Sequence, residues 1–225
     1  MEHQLISEGK CLFCEKTFQQ RGIGKHLAAH LQQMPEEAAG ANPVNYCHVE
    51  VKANEMFLHL LVKENSTMTS IDRFLKDIWL ECCGHMSNFG RKNFDVSMNS
   101  KVQSVFRPGA QLFHDYDYGS TTRVFLKGHS HYKLNFSETI ILLSRNEPLK
   151  LLCASCNEKP ATSMCIICQN DEYAFFCDTC SEDHAAQCED FADYAEMPVV
   201  NSPRMGVCGY TGGSIDRQRD GVYAL

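Results

Sequence analysis

Paired cysteine and histidine residues constrain the fold of this 225-residue chain more than any other feature of its sequence. Thirteen cysteines are present, and most of them fall in Cys-x2-Cys pairs. The first ten residues lack the apolar core of a signal peptide, and no apolar run approaches the ~20 residues of a transmembrane helix. We therefore predict a cytoplasmic protein with no membrane contact, and in a reducing compartment this density of cysteine indicates metal binding.

The first set of ligands lies within residues 8–34 and predicts a small ββα zinc finger. Two residues separate Cys11 from Cys14, eleven residues follow, and His26 and His30 then lie four positions apart on one helical face. Zinc takes four nitrogen or sulfur ligands in a tetrahedron, and two such pairs supply them. The stretch resembles the Cys-Cys-His-His zinc finger, with a central spacing slightly shorter than the roughly twelve residues of that family.

The finger is a poor candidate for reading DNA. Fingers that read DNA act in tandem, each covering about three base pairs, and this one is single. Its helix carries two basic residues, Arg21 and Lys25, which can neutralise few phosphates. We therefore expect weak or no nucleic-acid binding and a folding or docking role, and a nucleic-acid-associated protein that uses the finger is the first alternative.

Eight more ligands lie in four pairs within residues 151–190. Eight, eight and three residues separate successive pairs, and such short loops favour an interleaved arrangement of two zinc sites. The first and third pairs would form one site, and the second and fourth pairs the other: Cys153, Cys156, Cys177 and Cys180, then Cys165, Cys168, His184 and Cys188. With the finger, the chain would hold three zinc ions.

These pairs also carry a resemblance. The sequence Phe-Phe-Cys-Asp-Thr-Cys at residues 175–180, followed by His184 and Cys188, is similar to the MYND and HIT-type cross-brace zinc modules. The resemblance implies a module that binds proteins or holds domains together. Since no ligand is spare for an open coordination position, the zinc sites would be structural and none of the residues catalytic.

The charge of this module favours a protein partner over nucleic acid. Residues 151–190 contain one base and eight acids, so their formal charge is 1 − 8 = −7, whereas the rest of the chain has twenty of each. Two zinc ions add 4 and seven thiolates subtract 7, which leaves about −10 for the loaded module. We expect a partner protein with a basic surface, and the alternative is a solvated acidic face.

Residues 44–145 predict a central α+β domain with one helix and a mainly antiparallel sheet. Apolar side chains recur at helical spacing on one face of the predicted helix: Ile71, Phe74, Leu75, Ile78, Trp79 and Cys82. Gly84 follows at the position where the helix should end. Strands are expected at residues 56–62, 112–118, 121–127, 132–136 and 139–144. A linker at residues 35–43 precedes this domain, and residues 191–225 are expected to form an irregular tail.

Residues 70–89 and 113–120 resemble the plasmid pRi open-reading-frame-three family. Members have a helix, an aromatic-flanked segment and a Tyr-Asp-Phe-Gly turn, which is Tyr-Asp-Tyr-Gly at residues 116–119 here. Bacterial and archaeal proteins of unknown function that join this domain to zinc knuckles look like the whole chain. In the family Asp, Trp and His follow the turn, whereas Ser120, Thr122 and Val124 stand here, and the resemblance implies no activity.

The second alternative is a metal-dependent enzyme. His129 and His131 alternate on a predicted strand, so both rings should point to one face, and Asp115 and Asp117 alternate on a neighbouring strand. Two histidines and a carboxylate could hold an open metal site. Since no further catalytic motif is present, we predict instead a zinc-binding, non-enzymatic interaction or adaptor protein.

Overall fold

The computed structural model describes residues 7–34, 43–92, 94–168 and 175–215. Contacts between Cα atoms divide the chain into two units, the first formed by Met1–Lys76 and His85–Glu147 and the second by Asp77–Gly84 and Pro148–Leu225. Both units combine helical segments with antiparallel strands. The predicted α+β class is therefore confirmed.

The finger opens the first unit and has the expected ββα order. Its strands are β1 (Glu8–Lys10) and β2 (Thr17–Gln19), which pair antiparallel, and helix α1 (Gln20–Gln33) follows at once. Helix α1 begins immediately after the second strand, so the shortened central spacing is absorbed without a loop before the helix.

A seven-stranded antiparallel sheet forms the body of the first unit. Its strands are β3 (Val44–Ala53), β4 (Met56–Lys63), β5 (Ser87–Arg91), β6 (Phe94–Val96), β7 (Gln111–Tyr116), β8 (Thr122–Leu134) and β9 (Ile140–Arg145). They lie in the order β6-β5-β7-β8-β3-β4-β9, and a short helix α3 (Val102–Val105) precedes β7. The runs predicted at 121–127 and 132–136 belong to one long strand, β8, up to Leu134.

Strand β4 is buried along seven of its eight residues because both of its faces are covered. One face carries Phe57 and Leu61, which share an apolar cluster with the finger helix residues Ile23, Leu27 and Leu31. Backbone hydrogen bonds add to this packing, from Leu12 N to Leu143 O at 2.9 Å and from Glu147 N to Glu8 O at 2.7 Å. The finger is therefore built onto the sheet through a common core.

The predicted helix is shorter than its apolar pattern. Helix α2 spans Met68–Leu75, and a π-helical turn, Lys76–Leu80, completes it. A π turn contains more residues than an α turn, so Ile78, Trp79 and Leu80 are buried in succession and the 3.6-residue pattern ends there. Cys82 lies beyond the helix and is partly exposed, which corrects the expectation that it would continue the buried face. None of the described helices is long and apolar enough to cross a lipid bilayer.

The second unit contains a three-stranded antiparallel sheet in the order β11-β10-β12. Its elements are β10 (Ser163–Cys165), β11 (Phe175–Phe176), helix α4 (Asp178–Ala185), a second π-helical turn (Phe191–Ala195) and β12 (Glu196–Pro198). The expectation of an irregular tail from residue 191 is therefore wrong for residues 191–198, which supply a turn and an edge strand. Val200, Ser202, Arg204 and Tyr210 farther along are also buried.

Gly9 tests the joint between finger and sheet. A Cβ atom at Gly9 would lie 2.5 Å from Arg145 O and 2.7 Å from Phe57 Cζ, so Gly9→Ala should destabilise the first unit by about 1–3 kcal/mol. Gly22 in α1 is the control, since a Cβ there meets nothing within 4 Å and alanine favours a helix by about 0.8–1 kcal/mol. Urea unfolding of the zinc-loaded protein measures the free energy of unfolding of Gly9→Ala and Gly22→Ala. Equal stability of these two variants would contradict the close packing around Gly9.

Candidate metal centres

The finger site consists of Cys11, Cys14, His26 and His30, whose ligand atoms all lie within 4.8 Å of one another. Cys14 Sγ and His26 Nε2 are 3.2 Å apart, close to the ~3.6 Å edge of a tetrahedral zinc site with one sulfur and one nitrogen. Glu15 N donates to Cys11 O, and Glu15 has a φ of 58°, so the chain turns tightly behind the two sulfurs. The ligand types and spacing fit zinc.

The first module site brings together Cys153, Cys156, Cys177 and Cys180 within the same limit of 4.8 Å. Its first pair repeats the finger turn, since Asn157 N donates to Cys153 O and Asn157 has a φ of 56°. Its second pair lies where helix α4 begins, and Ser181 N donates to Cys177 O at 2.9 Å.

The second module site brings together Cys165, Cys168, His184 and Cys188 within 4.8 Å. The His184 ring stacks on Phe176 with a centroid distance of 4.2 Å, which fixes its orientation. His184 Nε2 is buried and has no hydrogen-bond partner within the described part of the chain. A buried ring nitrogen of this kind fits a metal ligand. The two module sites alternate along the chain, which is the interleaved arrangement.

Electrostatics within the first module site also fit a cation. Burial raises the pKa of Cys153, but hydrogen bonds from the backbone N–H groups of Cys156, Cys177 and Ser155 outweigh burial and lower the pKa to about 6. Hydrogen bonds with the thiols of Cys153 and Cys177 raise the pKa of Cys180 to about 12. A divalent ion between the sulfurs removes the repulsion that keeps the last protons bound.

His129 and His131 do not converge on one site. The pairing of β3 with β8 shifts between Cys47↔His131 and Val49↔Gly128, so β8 has one extra residue in a β-bulge between Gly128 and His131. The bulge breaks the alternation of side chains that the sequence argument assumed. His129 Nε2 lies 3.1 Å from Glu50 Oε2, whereas His131 contacts the carboxylate of Glu64. Asp115 pairs with Arg123 instead of joining them.

A cavity of about 370 Å³ lies between α1 and the sheet, and it was not predicted. Arg21 and Lys25 of the finger helix line it, together with His48, His59 and His129. His48 Nε2 and His59 Nδ1 are 2.9 Å apart, and both rings are almost fully buried. Strand alternation could have indicated that His48 and Glu50 share a face, but only the pairing of β3 with β4 brings His59 beside them.

Burial keeps these two rings neutral. It lowers the pKa of His48 to about 3 and that of His59 to about 4. Burial raises the pKa of Glu50, but hydrogen bonds from His129 and Lys52 outweigh it and bring the pKa to about 2. Glu50 is therefore ionised beside two neutral imidazoles.

The comparisons with known proteins add little to this geometry. No protein-family model matches the chain, and no curated protein matches it. Among solved structures the chain is similar to a protein of unknown function, MM3350, from Methanosarcina mazei Go1, with 15% identity and a TM-score of 0.38. That match covers 45% of this chain and 68% of the other. The fold and the sites thus define an α+β protein whose Cys/His groups can hold metal ions.

Interleaving of the two module sites predicts coupled metal loss. Cys177→Ser removes one ligand of the first module site, and Cys165 and Cys168 lie on the loop between its two pairs. We expect the variant to release more than one zinc ion and to expose residues 151–190 to protease, while residues 44–145 stay resistant. Elemental analysis and limited proteolysis measure this, with Cys14→Ser as the control that releases only the finger zinc. Loss of a single zinc from Cys177→Ser would show that the module sites are independent.

The buried histidine pair predicts an acid-sensitive first unit. Its folded-state pKa values lie below the ordinary 6.5, so the unfolded chain binds more protons and stability falls as the pH drops from 7 towards 4. Each ring contributes about 1.4 kcal/mol per pH unit below pH ~6. Glu50, whose pKa is about 2, titrates below this window.

Urea unfolding of the zinc-saturated protein at several pH values between about 7 and 5 measures how steeply the free energy of unfolding falls with pH. The double variant His48→Gln/His59→Gln should lose most of this pH dependence, whatever its stability at pH 7. Protonation of the zinc ligands affects both proteins equally, so the difference between the slopes belongs to the pair. Identical slopes would contradict the neutral state of these rings.

Proposed function

We propose that this chain is a zinc-binding, non-enzymatic interaction protein, an adaptor whose three predicted zinc ions hold its binding surfaces in shape. One observation carries the proposal: the twelve predicted ligands fall into three groups of four, each with its ligand atoms within 4.8 Å. Four protein ligands complete a tetrahedral zinc site, whereas a catalytic zinc keeps a position for water. The cysteine ligands must stay reduced to bind zinc, which supports a cytoplasmic location.

The orientation of the finger supports a partner other than nucleic acid. Ile23, Leu27 and Leu31 on α1 are buried in the core of the first unit. The two bases of the helix, Arg21 and Lys25, line the cavity above the sheet. Both bases are exposed, but two bases can neutralise few phosphates. The zinc of this finger is therefore best explained as a support for the joint between finger and sheet.

The enzyme alternative has less support. His129 and His131 bind different carboxylates, and neither belongs to a group of potential metal ligands among the described residues. The resemblance to the plasmid pRi open-reading-frame-three family stays a prediction, and it too implies no activity.

The surface of the module supports a basic protein partner. Helix α4 and the residues after it expose a series of acids: Asp178, Glu182, Asp183, Glu189 and Asp190. Three large apolar side chains of the same unit are also exposed, Leu152 at 45%, Ile167 at 45% and Tyr194 at 61%. A partner with basic and apolar side chains would match both features.

Affinity capture from the native cell, quantified by mass spectrometry, tests this proposal. The wild-type chain should retain a partner with a basic surface in a salt-dependent manner, and Glu182→Lys should reduce its capture about threefold or more. Glu55→Lys is the matched control, since Glu55 is also exposed but lies in the first unit. Equal capture by all three proteins would overturn the acidic surface as the contact.

A binding assay with duplex DNA and RNA supplies the opposing outcome. At about 150 mM salt the dissociation constant should be weaker than about 10⁻⁵ M. Sub-micromolar binding that is lost in Arg21→Ala/Lys25→Ala would favour the nucleic-acid alternative and overturn the adaptor.

A further inference from the structure

Three cysteines of the second unit meet outside the predicted zinc sites. Cys82 and Cys83 follow the π-helical turn, and Cys208 lies 125 residues farther along the chain. Cys82 Sγ is 3.6 Å from Cys83 Sγ, and Cys83 Sγ is 3.6 Å from Cys208 Sγ. Cys47 is left as the one cysteine of the chain, all thirteen being within the described ranges, that belongs to no such cluster.

The sulfur spacing is that of a tetrahedral metal site. Zinc–sulfur bonds of about 2.3 Å at tetrahedral angles separate two sulfurs by about 3.8 Å. In the first module site, for comparison, Cys156 Sγ and Cys177 Sγ are 4.0 Å apart. A disulfide between two of these cysteines would need about 2.05 Å and would leave the third sulfur over.

The backbone around these cysteines repeats the turns of the predicted zinc sites. In two of those sites a residue with positive φ follows the second cysteine of the first pair, namely Glu15 and Asn157. Here Gly84 follows Cys83 with a φ of 78°, and Gly209 follows Cys208 with a φ of 66°. Cys208 itself has a φ of 53°, which is uncommon for a residue with a side chain and indicates a constrained position.

A buried cation lies behind the cluster. Arg204 Nη2 donates to Cys82 Sγ at 3.4 Å, and the Arg204 side chain is fully buried. A guanidinium at this position stabilises a thiolate and orients it, as hydrogen-bond donors around metal ligands commonly do.

We infer that Cys82, Cys83 and Cys208 bind a fourth zinc ion. The three sulfurs supply three of the four ligands of a tetrahedral zinc site. Each of the other three sites has at least one buried cysteine, whereas here Cys82 is partly exposed and Cys83 and Cys208 are exposed. This ion should therefore exchange with chelators faster than the other three. The inference goes beyond the proposed adaptor function and does not depend on it.

Zinc stoichiometry of the full-length chain tests the site. After gel filtration under reducing conditions, elemental analysis should give about four zinc ions per chain, and about three for Cys208→Ser. Cys47→Ala is the control for cysteine loss and should retain about four. His129→Ala/His131→Ala should also retain about four, which separates this site from a metal bound at those histidines. A wild-type count of three, or a count of four in Cys208→Ser, would overturn the inference.

Cobalt substitution and exchange kinetics complete the test. Cys208→Ser should lose about a quarter of the cobalt–thiolate charge-transfer absorption, since three of the twelve predicted thiolate bonds belong to this site. A chelator should remove one zinc from the wild type in a fast phase that Cys208→Ser lacks, while the slow phases stay unchanged. A variant that misfolds would alter the slow phases, so it would be recognised.

Discussion

The paired Cys and His side chains that can hold metal ions are the constraint on which the second unit depends. Between residues 151 and 198 its apolar cluster is small, with Cys165, Phe176, Phe191 and Ala195 as the buried members. A cluster of this size cannot offset the conformational entropy of ordering some forty residues. A structural zinc ion contributes on the order of 10–16 kcal/mol, so the proposed ions would supply most of the folding energy. The short strands β10, β11 and β12 then follow from the positions of the ligands.

The first unit relies on a different balance. Its seven-stranded sheet buries apolar side chains on both faces of β4, and one of these faces is covered by the finger helix. Zinc in the finger site would hold α1 against its own hairpin, and apolar packing holds the finger on the sheet. This use of α1 as a core element also places Arg21 and Lys25 over a cavity that contains neutral histidines. The same packing underlies the acid sensitivity that we expect for the first unit.

The candidate centres differ in enclosure, and this difference has functional consequences. The three predicted sites each include a buried cysteine and serve as structural supports in our proposal. The cluster at Cys82, Cys83 and Cys208 is more exposed and lies beside the buried Arg204. An accessible thiolate site exchanges metal more readily than an enclosed one, so zinc supply would act on this site first. The proposed partner surface and the proposed exchangeable metal site are therefore separate features of the second unit.

The sequence by itself determined the α+β class, the ββα finger, most of the central strands and the grouping of twelve ligands, because each depends on local spacing. Cys-x2-Cys pairs and strand alternation depend on residues that are close together in the sequence. The short loops of the module leave few ways to pair its ligands. The tertiary structure decided what depends on long-range pairing. The bulge in β8 separated His129 from His131, the π turn placed Cys82 beyond the helix, and β3 brought His48 beside His59. Cys208 joins Cys83 across 125 residues, a distance over which no sequence period operates, so chain folding alone reveals that cluster.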